Sequence, residues 1–301
     1  MKTKMKTCLL FALLLLALPL RAAEGHVFAC ADYAGGKIFL VGADGAVTWE
    51  HPASHCNDFW VLANGNLLFT TGHGVQEVTR EKKVVFKYES KSEIYACQRL
   101  PNGNTFVGEC NAGRLLNVDP TGKIVSEIKL LPEGKDGGHG YIRNARELPN
   151  GNYLVTHYGE QLVREYDAHG KTVREFKAPS MPHSAVRLPN GNTLITLADK
   201  IKEPGLIEYD ADGKVVWQLS NKDLPGAPLK FIAGVHRLAN GNTVLCNWLG
   251  HGNLGKAPHL FEVTPDKKVV WTYANHKDMK TIASVIMLDA PADPLKGEVL
   301  H

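Results

Sequence analysis

Phe59-Trp60-Val61-Leu62-Ala63-Asn64-Gly65-Asn66-Leu67-Leu68-Phe69 is two apolar runs joined by a turn. Its centre, Leu-(Ala/Pro)-Asn-Gly-Asn, recurs with its first residue at Leu100, Leu148, Leu188 and Leu238, at spacings of 38, 48, 40 and 50 residues. Asn-Gly between two apolar runs is the strongest short-range hairpin signal, because both central residues must take positive φ and these two tolerate it best. One copy predicts a hairpin. Five copies at a period near forty predict a repeat architecture.

A second turn interleaves with the first. It is followed by a β-branched pair and often an aromatic: Asp44-Gly45-Ala46-Val47-Thr48-Trp49, Glu81-Lys82-Lys83-Val84-Val85-Phe86, Asp212-Gly213-Lys214-Val215-Val216-Trp217 and Asp266-Lys267-Lys268-Val269-Val270-Trp271, with shorter forms at Gly122-Lys123 and Gly170-Lys171. It occurs six times, against five for the Asn-Gly turn. Four antiparallel strands therefore fit between one Asn-Gly-Asn and the next. After Ile282–Leu288, where a sixth Asn-Gly turn is due, the sequence degenerates at Asp289-Ala290-Pro291, and the missing strands are found at the start, in 26–31, 37–41 and 46–50. The sequence thus predicts an all-β, six-bladed β-propeller whose last blade takes one strand from the end and three from the beginning. That closure removes sheet edges. Trp49, Phe86, Trp217 and Trp271, at one place in the repeat, are expected to pack between blades.

Lys2, Lys4 and Lys6 precede the apolar run Leu9–Leu20, too short for a comfortable membrane span and suited to a signal peptide. Residues 1–25 are read as a removed signal and 26–301 as a single domain, periplasmic or secreted. Cys8 lies ahead of the apolar core, which argues against a lipoprotein. Removing 1–25 turns 34 basic and 31 acidic side chains into 30 of each (Lys2, Lys4, Lys6, Arg21 and Glu24 lost). A near-neutral chain points away from nucleic acid and anionic membranes, and a monomer is expected. Cys30, Cys56, Cys97, Cys110 and Cys246 read as scattered buried residues rather than a disulfide framework, with a Cys97–Cys110 bridge as the alternative.

The tight turns share one face, so the variable loops, where function concentrates, share the other. His55, His139, His183 and His236 lie in or before first strands, and His73, His157 and His251 at or after the ends of second strands. All are expected on the variable-loop side, where first strands line a central channel. Asn57, Asp58, Arg143, Asn144, Arg146, Asn247 and Trp248 accompany them. Imidazole, amide and guanidinium groups around one mouth suit a small polar or anionic molecule. His55, His183 and His236, with Arg143, are the catalytic candidates. Asn57, Asp58, Arg146, His139, His157, Asn247, Trp248 and His251 are the ligand-binding ones. The three histidines stand seven, five and two residues before the Leu of the turn, which disfavours a symmetric metal ring; an asymmetric metal site stays open, and no cofactor is firmly implied. His26 reads as an ordinary residue of the closing strand, with metal chelation as the alternative.

The Asp-Gly-Lys-Val-Val-Trp turn at 212–217 resembles repeats of pyrroloquinoline-quinone-binding propellers. Combined with a His-bearing segment running into Leu188-Pro189-Asn190-Gly191-Asn192-Thr193-Leu194, it is similar to bacterial arylsulfotransferase-like propellers, which are exported and six-bladed. That resemblance implies a channel histidine that accepts a sulfuryl group while neighbouring His, Arg and Asn stabilise it. Ser54-His55-Cys56-Asn57-Asp58 is the nearest match to the histidine-bearing entry, and His183 the second; Cys56 stands where that family pairs a second histidine. Three readings follow: an exported propeller binding a small polar or anionic ligand, a transferase or lyase using a channel histidine, and a non-catalytic interaction scaffold.

Overall fold

The computed structural model describes residues 25–198, 204–290 and 301; the signal-peptide assignment falls on residues outside these, Gly25 apart. Among the described residues there is no α-helix, and the strands form five antiparallel sheets in the manner of a β-propeller. Four sheets have four strands. One of them runs Ile282–Met287, Phe28–Asp32, Lys37–Val41, Val47–Pro52, the shared closing sheet read from the sequence. The fifth has seven strands because Val84–Arg99 serves two neighbours: residues 84–89 pair with 74–78 of Gly72–Val78, and residues 94–99 pair with Thr105–Glu109.

The innermost strands meet in sequence. Phe59–Val61 touches Val84–Arg99, which touches Asn144–Glu147, then Met181–Arg187, Ile232–Arg237 and Ile282–Met287, and the last returns to Phe59–Val61. Inner and second strands are almost wholly buried, whereas outer strands such as Val215–Ser220 expose half of their residues. Apolar side chains on both faces of the inner strands follow from this, since each sheet is sandwiched between two others.

The Asn-Gly turns differ from the two-residue form. Leu62 N–H donates to Asn66 O (2.8 Å) and Gly65 N–H to Leu62 O (2.8 Å), so the loop has three residues. Only Gly65 takes positive φ (+84°); Asn64 does not, and its Oδ1 instead accepts the Asn66 N–H at 3.0 Å. This is a type I turn followed by one left-handed residue. The same geometry recurs at Gly103, Gly151, Gly191 and Gly241, with φ between +79° and +88°. In the second turn family the left-handed position is glycine four times, and Lys82 and Lys267 occupy it in the other two (φ +68° and +63°).

The Asn ending four of the five Asn-Gly turns binds a third-strand Glu, and three of these Glu residues also take an Arg of the next inner strand. Asn66 Nδ2 donates to Glu77 Oε1 (2.6 Å), and Glu77 Oε2 accepts from Arg99 of the next inner strand (2.6 Å). Asn152–Glu165–Arg187 and Asn192–Glu208–Arg237 repeat the arrangement. At Glu165 burial alone would raise the carboxyl pKa, but Asn152 and Arg187 outweigh it and hold it below the ordinary value. Charge-assisted bonds of this kind contribute about 1.5–3 kcal/mol each when screened from water. The outer-strand tryptophans add a second tie: Trp49 Nε1 donates to Arg80 O (2.8 Å) and Trp217 Nε1 to Pro265 O (2.9 Å), each on the adjoining sheet's tight turn. The five described cysteines are free and buried; the Cys97–Cys110 bridge does not form, and the Cys110 thiol faces the Gly138 and His139 carbonyls instead.

Gly103 tests the turn geometry. A Cβ there meets nothing within 4 Å, yet φ is +87°. Gly103→Ala should therefore destabilise by about 1–2 kcal/mol on backbone strain alone, read as a lower urea midpoint with unchanged m-value.

Candidate functional site

The loop-side mouth opens into a chamber of about 250 Å³. Its walls are Tyr33, Tyr158, Phe231 and Trp248, with Asn57, Arg143, His139, His183, His251 and Ala283. Below it the channel narrows to about 10 Å³, room for roughly one water. Arg143, His183, Asn57 and Ala283 line both spaces, and Asp58, Asn144, Arg146 and His301 close the lower one.

His183 sits on the inner strand Met181–Arg187 and is 7% exposed. Its Nδ1 lies 3.2 Å from Ala233 O, so the neutral ring carries its proton there and leaves Nε2 as a bare lone pair. Burial, with Arg143 adding to it, lowers its pKa well below 6.5, so the ring is neutral at pH 7. Arg143 is held between Tyr95 and Tyr158, with its guanidinium carbon 4.4 and 5.0 Å from the ring centres. Its Nη1 donates to His139 Nε2 (3.0 Å) and His139 O (3.2 Å), which places the His139 proton on Nδ1, 2.7 Å from Glu93 Oε2. Arg143 Nε is buried and has no partner. Asn144 Oδ1, on the wall of the lower space, also has none.

Arg146 does different work. It makes a bidentate pair with Asp58 (2.7 and 2.8 Å), both side chains almost wholly buried. Burial raises the Asp58 pKa, opposed by Arg146 and by the Cys97 N–H. Arg146 Nε donates to the main-chain oxygen of His301 (3.1 Å), and the His301 ring lies 4.3 Å from that of Trp60. Arg146 and Asp58 are thus internally satisfied, and they form the floor rather than a free ligand clamp.

The catalytic candidates do not all converge. His55 is exposed, with left-handed backbone (φ 51°), its Nδ1 2.8 Å from Ser54 Oγ and its ring 5.2 Å from Tyr33; it lines neither space. His236 is 1% exposed and lines neither space either. Its Nδ1 accepts the Met287 N–H (3.2 Å), its Nε2 has no partner, and burial lowers its pKa to about 4. His183 and Arg143 are brought together.

Among the ligand-binding candidates, Asn57, His139, Trp248 and His251 reach the chamber. His157 does not: its two nitrogens are held by Tyr141 O and Tyr166 Oη (2.8 Å each), and burial lowers its pKa to about 4. Asn247 does not either. Its side chain braces the loops by accepting from Lys230 N and donating to Pro228 O and Pro258 O. Trp248 is aimed by its neighbour, since a Cβ on Gly250 would run into the indole. Among the described residues no group of three His, Cys, Asp or Glu could hold a metal ion.

Tyr33, Tyr158, Phe231 and His301 were not among the candidates. Three of the chamber's aromatics had a signal: Tyr33, Tyr158 and Trp248 each directly follow the second strand of their sheet. Phe231 directly precedes the inner strand Ile232–Arg237.

Residues 111–224 match the arylsulfotransferase (ASST) family. No curated protein matches the chain. A Bacteroides caccae protein of unknown function is 26% identical over 87% of this chain and 98% of its own, with a TM-score of 0.77. A streptogramin B lyase superposes with a TM-score of 0.59 at 13% identity, covering 85% of this chain and 82% of that one. Staphylococcus aureus virginiamycin B lyase gives 0.57 at 16% (85% and 87%), and a catalytically inactive His-to-Ala form of it with quinupristin gives 0.55 at 15% (84% and 96%). The arylsulfotransferase side of the resemblance is thereby supported; none of these matches is to a quinone-binding propeller.

Asp58 tests the floor. Asp58→Asn leaves Arg146 buried without its carboxylate and should cost about 3–5 kcal/mol, while Asp58→Leu with Arg146→Met should cost much less. Urea unfolding of the three chains reads both.

Proposed function

We propose that the protein is an exported, monomeric, six-bladed propeller enzyme that transfers or eliminates an anionic group on a small substrate bound in the loop-side chamber. The six-blade count rests on the ring of inner strands and on Val84–Arg99 serving two sheets. The group-transfer reading is favoured over pure ligand binding and over a scaffold by the arylsulfotransferase match and by the lyase-like fold, one member of which is inactive when a histidine becomes alanine. The observation that carries it is the pairing of a neutral imidazole bearing a bare Nε2 with a guanidinium on the same chamber wall.

In transfer, His183 Nε2 attacks the sulfur of an aryl sulfate. The N–S bond forms, the S–O bond to the ring oxygen breaks, and the phenolate leaves with the electron pair. An acceptor hydroxyl then takes the sulfuryl group: its O–S bond forms as the N–S bond breaks, its proton passes to the released phenolate or to water, and the imidazole is restored. In elimination, Nε2 instead removes a C–H proton while the ester C–O bond breaks and the carboxylate departs. Both build negative charge that Arg143 is placed to stabilise. Arg146, held by Asp58, keeps the floor in place. The four aromatic walls suit a ring-bearing substrate.

Turnover of 4-nitrophenyl sulfate with a phenol acceptor, and of a cyclic depsipeptide ester, tests the reading. His183→Ala should lower kcat/KM by about 10²–10⁴ in whichever reaction the wild-type chain performs, and Arg143→Gln by about 10²–10³. The acid limb of the wild-type profile should fall below pH 6.5, because burial and Arg143 depress the His183 pKa. His183→Ala retaining full turnover, or a wild-type chain inert to both substrates, overturns it.

A further inference from the structure

The clamps between sheets follow one rule: a third-strand Glu takes the turn Asn on one oxygen and an inner-strand Arg on the other. The inner-strand position is the residue before the Leu of each turn: Arg99, Arg187 and Arg237. At the closing seam that position is Met287, which has no charge to offer. Glu262 is nevertheless present, and its Oε1 takes Asn242 Nδ2 at 2.6 Å.

His26 fills the vacant role. Its Nε2 lies 2.8 Å from Glu262 Oε2 and its Nδ1 2.8 Å from Asp289 Oδ2. A neutral imidazole has one N–H, so it could satisfy only one of these carboxylates; both bonds require the imidazolium. The groups facing the ring are these two carboxylates and, from Val269–Tyr273, the uncharged Trp271, edge-on at 4.8 Å. Three parts of the seam meet here. His26 leads into Phe28–Asp32, Asp289 follows Ile282–Met287, and Glu262 belongs to the adjoining sheet. The Leu288 N–H to Val27 O bond (2.8 Å) lies alongside.

We propose that His26 is a proton-dependent latch on the propeller's closing seam, holding the first and last strands to the adjoining sheet as an imidazolium and releasing one carboxylate when it is neutral. Every other clamp of this type uses arginine, which stays charged at any physiological pH. Among the described clamps of this type, proton dependence thereby falls at the seam where Phe28–Asp32 and Ile282–Met287 meet.

The sign follows from the partners. Burial opposes the charge, but Glu262 and Asp289 outweigh it and hold the His26 pKa above 6.5. A raised pKa gives stability that is complete below the unfolded value and lost as pH rises through the folded one. The buried imidazoles His157, His183, His236, His259 and His301 are shifted downward, so they weaken the fold only below about pH 6.5 and are silent above it.

Urea midpoints of wild type, His26→Arg and His26→Gln from about pH 6 to pH 9 test the latch. Wild type should fall relative to His26→Arg across this range. His26→Gln should start below wild type near pH 6 and meet it near pH 9. Amide exchange in Phe28–Asp32 and Ile282–Met287, compared at equal pH, should be a few-fold faster in wild type than in His26→Arg near pH 9 and equal near pH 6. Three parallel midpoint curves, or seam exchange that differs equally at both pH values, overturn the proposal.

Discussion

The carboxylate shared between a turn asparagine and an arginine of the next inner strand is the constraint on which the rest of the architecture depends. A four-stranded sheet with two apolar faces cannot stand alone, and apolar packing by itself leaves its tilt against the next sheet loosely defined. Glu77, Glu165 and Glu208 define it, because a carboxylate with both oxygens engaged admits little rotation. The left-handed glycine that ends each three-residue Asn-Gly loop matters for the same reason. It sets where the following Asn side chain emerges, and so the register of the clamp. All of this lies on the tight-turn face, which leaves the opposite loops free to differ without loosening the sheets.

The clamp's exceptions are informative. Where the rule would place Glu on the third strand and Arg on the inner one, the chain has Asn117 and Glu147. Burial raises the Glu147 pKa, and one oxygen each of Glu147 and Asn117 is left without a partner. The inner strand concerned, Asn144–Glu147, is the one that carries Arg146 and follows Arg143. Its positive charge has moved from the interface into the channel and its mouth, where Arg146 builds the floor with Asp58 and Arg143 lines the chamber. One interface is weaker, and the channel gains its cations.

The repeat was legible because spacing is a one-dimensional property: counting Asn-Gly and Gly-Lys turns gave the strand order and the shared closing sheet. The turn type is not legible from the pair alone, since Asn-Gly also fits a three-residue loop in which Asn uses its side chain as an acceptor and keeps φ negative. The site was only half legible. Residue type and strand position found His183 and Arg143. They could not tell His183, with a bare nitrogen on a chamber wall, from His157, which has the same residue type but is held at both nitrogens by Tyr141 and Tyr166. That difference belongs to three-dimensional partners far apart in sequence. The aromatic wall left a trace in Tyr33, Tyr158 and Trp248, but the trace is one residue per blade at a strand end and appears only once the strand ends are known.

The electrostatics of the chamber make its empty and filled states different. Empty, Arg143 and burial both oppose a proton on His183, so the ring rests as a free base. An anion seated against Arg143 screens the guanidinium and brings negative charge beside the imidazole. Both effects favour the imidazolium. The base therefore becomes more willing to take a proton, or to carry positive charge after attacking, when an anionic substrate is present. Neutral molecules entering the same aromatic walls leave His183 as it was. Arg146 could not supply this coupling, because its charge is already neutralised by Asp58 and changes little when the chamber fills. On the proposed function, selectivity for anions would arise from Arg143 having no carboxylate partner among the described residues, while its aromatic neighbours and His139 hold it in place.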